Sequence, residues 1–126
     1  MYLPYFEVAT LQEYHDIIYK YQISMIFLHA SWCKPCQEFK PTLYQYFESL
    51  KYPNTCIISI DYDKLKIDEA FMNIFKGTML PGFYIHNLGE YSKPIISVDL
   101  RFIEPFVNDK MNEILSKNKI SIGDDF

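Results

Sequence analysis

The stretch Ser31-Trp32-Cys33-Lys34-Pro35-Cys36 decides how the chain is read, because it separates two segments of different periodicity. Before it, Ile23 to Leu28 is a short run rich in β-branched and aromatic residues, with the length of an interior strand rather than of a buried helix. After it, Phe39, Leu43, Phe47 and Leu50 step by three or four, which predicts a helix from Cys36 to the Pro53-Asn54 turn. Pro41 falls inside that helix and is expected to kink it. Two cysteines spaced C-x-x-C therefore stand at a strand-to-helix junction.

The flanking sequence supplies the remaining elements. Phe6-Glu7-Val8 reads as a short strand, and Thr10-Leu11-Gln12-Glu13 as a capping box that opens a helix with Leu11, Tyr14, Ile17 or Ile18 and Tyr21 along one face. Cys56, Ile58 and Ile60 alternate with Ile57, Ser59 and Asp61, as in a strand. Ile67, Ala70, Phe71, Ile74 and Phe75 form another helical face, closed by Lys76-Gly77. Phe83 to His86 and Ile95 to Val98 read as an antiparallel hairpin around Asn87-Leu88-Gly89-Glu90. The last helix carries Phe106, Val107, Met111, Ile114 and Leu115, with Pro105 expected at its first position. Residues 117–126 are expected as an acidic tail that frays, from Ile120 in particular. The order predicts an α/β fold, one domain over residues 1–126, in which a mixed sheet of about five strands is flanked on both faces by about four helices.

Composition narrows the function. The chain has 126 residues, 49% hydrophobic and 22% charged, which suits one packed core and not a disordered segment. Its net charge of -4, with twelve scattered Lys and Arg, lacks the basic stripe of a nucleic-acid or anionic-membrane binder. No apolar run approaches the ~20 residues of a membrane span. Met1 to Val8 has no basic region and meets Pro4 and Glu7 at once, unlike a secretory signal, so a cytosolic location is expected, or a chain without its leader. Three cysteines are too few and odd in number for a stapled secreted scaffold. The Cys33 and Cys36 pair therefore calls for a chemical explanation.

A thiol at the start of a helix faces unpaired backbone N–H groups and the positive end of the helix dipole, which favour the thiolate. Lys34 adds a positive charge, so Cys33 is the expected nucleophile, with a pKa below the ~8.5 of a free thiol. Cys36, one turn further in, is within reach of a thiol hydrogen bond or a short-loop disulfide and is the expected resolver. Zinc would need four ligands, and Cys56, His15, His29 and His86 offer no second paired spacing. Cys56 reads as a small buried hydrophobe, and Tyr44, Tyr46, Phe71 and Phe75 as packing residues. Asp61, Asp63, Asp68 and Glu69 lack calcium-loop spacing and read as a solvated loop and helix start.

In this arrangement the sequence resembles the thioredoxin family: a strand, Trp32-Cys33-Lys34-Pro35-Cys36, then a helix with Pro41 eight residues after the first cysteine. Met79-Leu80-Pro81-Gly82 before the next strand is similar to the family's cis-proline position, here Pro81. The resemblance covers nearly the whole chain and implies a thiol-disulfide oxidoreductase. Cys33 would attack a substrate disulfide, and Cys36 would resolve the mixed disulfide. Implied partners are disulfide-containing proteins and an external electron donor such as a thioredoxin reductase or the glutathione system. No cofactor is implied beyond the Cys33-Cys36 pair, and a monomer is expected. Trp32, Met79, Leu80 and Pro81 would form the substrate rim, supported by Lys34 and Pro35.

Two departures qualify the resemblance. The family's buried Asp, six residues before the first cysteine, is Phe27 here, which leaves the proton acceptor unassigned, with His29 nearby in sequence as a weak substitute. The usual Gly after the first cysteine is Lys34, which would favour the dithiol and move the pair toward oxidising potentials. A cytosolic dithiol reductant is therefore the leading expectation. The alternatives are an interaction module with weak redox turnover, and an oxidase or isomerase.

Overall fold

A computed structural model describes residues 3–65, 68–75 and 79–123. The chain order is β1 (Tyr5–Val8), α1 (Leu11–Ile18), β2 (Ile23–His29), α2 (Lys34–Glu48), β3 (Thr55–Asp61), α3 (Tyr62–Leu65), α4 (Glu69–Phe75), β4 (Gly82–Asn87), β5 (Glu90–Tyr91), β6 (Ile95–Ile96) and α5 (Leu100–Gly123). The six strands form one sheet in the order β1-β3-β2-β4-β5, with β6 also pairing β4. β1, β3 and β2 run parallel, whereas β4 is antiparallel to β2 and to its own return strands. This is the mixed, helix-flanked α/β sheet that the sequence pattern predicts.

Strand alternation sorts the apolar residues into two cores. Met25, Phe27, Ile57, Phe83 and Ile85 pack with Phe39, Leu43 and Phe47 of α2 and with Ile103, Val107, Met111 and Ile114 of α5. On the other face Ile26, Leu28, Cys56, Ile58, Ile60 and Tyr84 pack with Tyr14 and Ile18 of α1 and with Phe71 and Phe75 of α4. All of β2 is buried, as a central strand covered on both sides must be. The hydroxyls of Tyr14 and Tyr91 hydrogen-bond each other, and burial raises the pKa of both. Tyr14 is thereby buried as a neutral phenol.

Local signals account for the element ends. Thr10 Oγ1 accepts from the Glu13 amide at 3.1 Å, and Glu13 Oε1 accepts from the Ala9 amide at 3.3 Å, so the capping box closes one residue earlier than its usual form. Asp68 Oδ1 accepts from the Phe71 amide at 3.2 Å and caps α4. Leu88 and Gly89 both take positive φ, 49° and 89°, the combination that lets a two-residue turn follow the twist of β4 and β5.

The structure adds to or differs from the sequence reading at several places. Pro105 is not at the first position of the last helix. That helix starts at Leu100, where Asp99 Oδ1 accepts from the Arg101 amide at 2.9 Å, and Pro105 lies inside it. Both Pro105 and Arg101, whose carbonyl loses its helical donor, are exposed to water, which lowers the cost. The helix runs to Gly123, within the stretch 117–126 expected as an acidic tail, and 124–126 lie outside the described residues. The return of the hairpin is split into β5 and β6. Between them the Ser92 amide donates to the Ile85 carbonyl at 2.8 Å, Ser92 Oγ accepts from the Ile85 amide at 2.9 Å, and Pro94 has no N–H. Finally, a short α3 precedes α4, with the Asp61 carboxylate accepting from the Asp63 amide at 3.1 Å. The expected contributions of Ile67, Lys76 and Gly77 lie outside the described residues.

Candidate active site

β2 ends at His29, and a tight turn through Ser31 and Trp32 leads into α2, with the Cys33 amide donating to the Ala30 carbonyl at 3.1 Å. Cys33 is the N-cap of α2. Its backbone is extended, and its Sγ accepts from the Cys36 amide at 3.3 Å, where a capping Ser or Asp oxygen would otherwise sit. Pro35 lies in the first turn, where a missing N–H costs no helical bond. The two sulfurs are joined as a disulfide across a Cα–Cα distance of 5.3 Å. Cys33 is 5% exposed and Cys36 is fully buried, so solvent reaches the pair only from the Cys33 side.

Leu80 and Tyr62 pack against the cluster of Ala30, Cys33 and Cys36, which places the Met79–Gly82 bend beside the cysteines. The Leu80–Pro81 peptide bond is cis, and Pro81 is buried. Trp32, next to Cys33, and Met79, next to Leu80, are 65% and 67% exposed. All of the site residues expected from the sequence are thus grouped at one end of the sheet.

Three features were not visible in the sequence. Tyr62 touches the cysteine cluster because α3 turns back over it, and its hydroxyl donates to Met72 Sδ at 3.5 Å. A groove of about 440 Å³ runs from Pro35 past Glu38 and Phe39 to Val98, Asp99 and Leu100. Lys34 pairs with Glu38, one turn along α2, at 3.9 Å, and both side chains are well exposed. A neighbouring carboxylate and full hydration weaken the thiolate-stabilising and oxidising influence expected of Lys34.

Phe27 and His29 do lie on the same face of β2, their rings stacked with centroids 5.4 Å apart. His29 is 6% exposed, and its Nε2 hydrogen-bonds Ser59 Oγ at 2.8 Å. Burial, reinforced by Lys40 and opposed by Asp61, lowers its pKa to about 4. The imidazole is therefore neutral at pH 7 and, at a pKa of about 4, a weak base toward a thiol. In the unfolded chain its pKa returns to about 6.5. Between the two values the unfolded state binds the proton and the folded state does not, so stability rises with pH. It is fully present above pH ~6.5 and is lost as pH falls toward 4, by about 2 kcal/mol after allowance for partial water access. Urea unfolding at pH 7 and pH 4.5 should show this loss, and His29→Asn should shrink the difference.

Cys56 is buried, within 3.4 Å of Ser24 Oγ, and burial raises its thiol to about 11, which makes it inert packing as its alternation predicts. Among the described residues no group of three or more His, Cys, Asp or Glu is placed to hold a metal ion, and no helix is long and apolar enough to cross a membrane.

Comparison with known proteins agrees with this geometry. Residues 21–122 match the thioredoxin-like family. A probable nucleoredoxin 3 from Oryza sativa subsp. japonica is 38% identical over 58 residues, which is 41% of this chain and only 11% of that protein's length. The thioredoxin of Trypanosoma brucei brucei superposes with a TM-score of 0.71 at 16% identity, over 89% of this chain and 95% of the other. Mitochondrial thioredoxin 3 of Saccharomyces cerevisiae, in its oxidised form, superposes at 0.67 and 21% identity, over 85% and 94%. At these identities the superpositions speak for the fold. With the family match spanning most of its length and the C-x-x-C disulfide capping α2 beside a cis-proline, the chain belongs to the thioredoxin-like family.

Proposed function

We propose that the protein is a thiol-disulfide oxidoreductase that works as a dithiol reductant of protein disulfides in the cytosol, through its own cysteines and no other cofactor. One observation carries this reading: the Cys33–Cys36 disulfide sits at a helix N-terminus, with only Cys33 reachable and an exposed apolar rim beside it. The helix start stabilises a Cys33 thiolate in the reduced form. That thiolate attacks a substrate disulfide and releases one substrate thiolate. Cys36 then attacks Cys33 Sγ, re-forming the Cys33–Cys36 bond as the second substrate sulfur leaves. Trp32, Met79 and Leu80 would hold the apolar part of an extended substrate segment next to Pro81, and the groove between Pro35 and Val98 extends that surface. Electrons would return from an external donor, a thioredoxin reductase or the glutathione system, and the protein would act as a monomer.

The Lys34–Glu38 pairing favours the reducing direction over an oxidase or isomerase, because it leaves less net positive charge beside the thiolate. Titration of the pair against glutathione should give a potential near the about -270 mV of thioredoxins. A value above about -200 mV would assign it to the oxidising class. Insulin reduction by the dithiol form, compared with Cys36→Ser, separates an enzyme from a binding module. Turnover that does not depend on Cys36 would remove the two-cysteine mechanism.

A further inference from the structure

The resolving step requires Cys36 to lose a proton, yet Phe27 supplies no carboxylate and the neighbouring His29 is held neutral. Beyond the cysteines, a polar cavity of about 260 Å³ lies between β1, β2, β3, α2 and α3, lined by His29, Ser59, Asp61, Lys40, Glu7 and Lys64. His29 Nδ1 is buried there without a protein partner. A polar space of this size, with several donors and acceptors, has room for ordered water. Lys40 lines this cavity and stands one helical turn after Cys36, at the i,i+4 spacing that sets two side chains on one face of α2. Among the described residues Lys40 has no carboxylate within ion-pair distance, unlike Lys34, Lys110 and Lys117.

We propose that Lys40 is the positioning charge of the resolving step, favouring the Cys36 thiolate while the thiol proton leaves through water on the side of the cavity that Lys40 lines. The inference rests on the proposed reductase reading. The step is balanced: Cys36 gives its proton to water, and its sulfur attacks Cys33 Sγ in the mixed disulfide. The Cys33–Cys36 bond forms, the bond from Cys33 to substrate breaks, and the substrate sulfur departs as a thiolate. Lys40 faces His29 from β2, Asp61 from β3, Glu7 from β1 and Lys64 from α3. His29, its pKa lowered to about 4 by burial, stays uncharged from pH 6 to 10, so Lys40 and Lys64 against Asp61 and Glu7 set the local field in the relevant range.

The test measures release of product from a preformed mixed disulfide, from pH 6 to 10, in the otherwise unmodified chain and in Lys40→Met and Lys40→Arg. Lys40→Met should slow resolution about 10-fold at pH 7 and move the midpoint of the profile up by about one unit, whereas Lys40→Arg should keep the original profile. The alkylation rate of Cys33, which reports the first step, should stay unchanged in both. An unshifted profile in Lys40→Met would overturn the proposal, as would a Lys40→Arg variant as slow as Lys40→Met. A carbon-13 NMR titration of the Cys36 Cβ in a Cys33→Ser background reads the same charge effect without any substrate. It supports the proposal if Lys40→Met raises the Cys36 pKa and refutes it if the value stays put. If Cys36→Ser traps no mixed disulfide, the reductase reading fails, and that result is distinct from a failure of the Lys40 titration.

Discussion

Cys33→Ser should abolish dithiol-dependent insulin reduction, with a loss on the order of 1,000-fold or more in rate. The hydroxyl of serine is not ionised near neutral pH, and Cys36 is fully buried beneath it, so no second sulfur can take over the attack. The fold should survive the change. A serine oxygen is a better N-cap than sulfur, and it keeps the acceptor for the Cys36 amide. Cys36→Ser should give the complementary result: Cys33 still attacks, the mixed disulfide accumulates, and mass spectrometry finds substrate joined to the chain. A Cys33→Ser protein that still reduced insulin in a Cys36-dependent manner would contradict the assignment of the nucleophile.

Restoring the family's acid by Phe27→Asp should unfold the domain instead of improving it. Phe27 is 1% exposed and belongs to the core shared by β2, α2 and α5. Removing its ring costs about 3–5 kcal/mol, and an unpartnered carboxyl in that place adds about 1–3 kcal/mol more. Together these approach the total stability of a small domain, about 5–15 kcal/mol. A conservative Phe27→Leu should cost roughly 1–2 kcal/mol and leave the redox pair working. Urea denaturation of both variants checks the ranking, and a fully stable Phe27→Asp would show that this core tolerates the charge.

That contrast explains what could be read from residues alone. The two-sided sheet was legible because β2 is an unbroken apolar run and α2 carries Phe39, Leu43 and Phe47 at helical spacing, so local pattern and final burial agree. The cysteine junction was legible because helix starts have a fixed electrostatic meaning. Pro105 misled because proline is common at the first helical position, while the true start rested on the less conspicuous Asp99 cap. The roles of His29 and Lys34 were not legible. Each depends on a partner fixed only by the fold: Ser59 across the β2–β3 ladder for one, and Glu38 on an exposed helix face for the other. Tyr62 reaches the site through α3, a single turn without a periodic signature, and Val98 through the loop before α5, because the strand expected over Ile95 to Val98 ends at Ile96.

The break between β5 and β6 has a consequence for life at high concentration. Two stubs of two residues, separated by a segment whose proline cannot donate, give an incoming chain no continuous row of backbone groups to copy. That flank of the sheet therefore makes a poor template for pairing with a second chain.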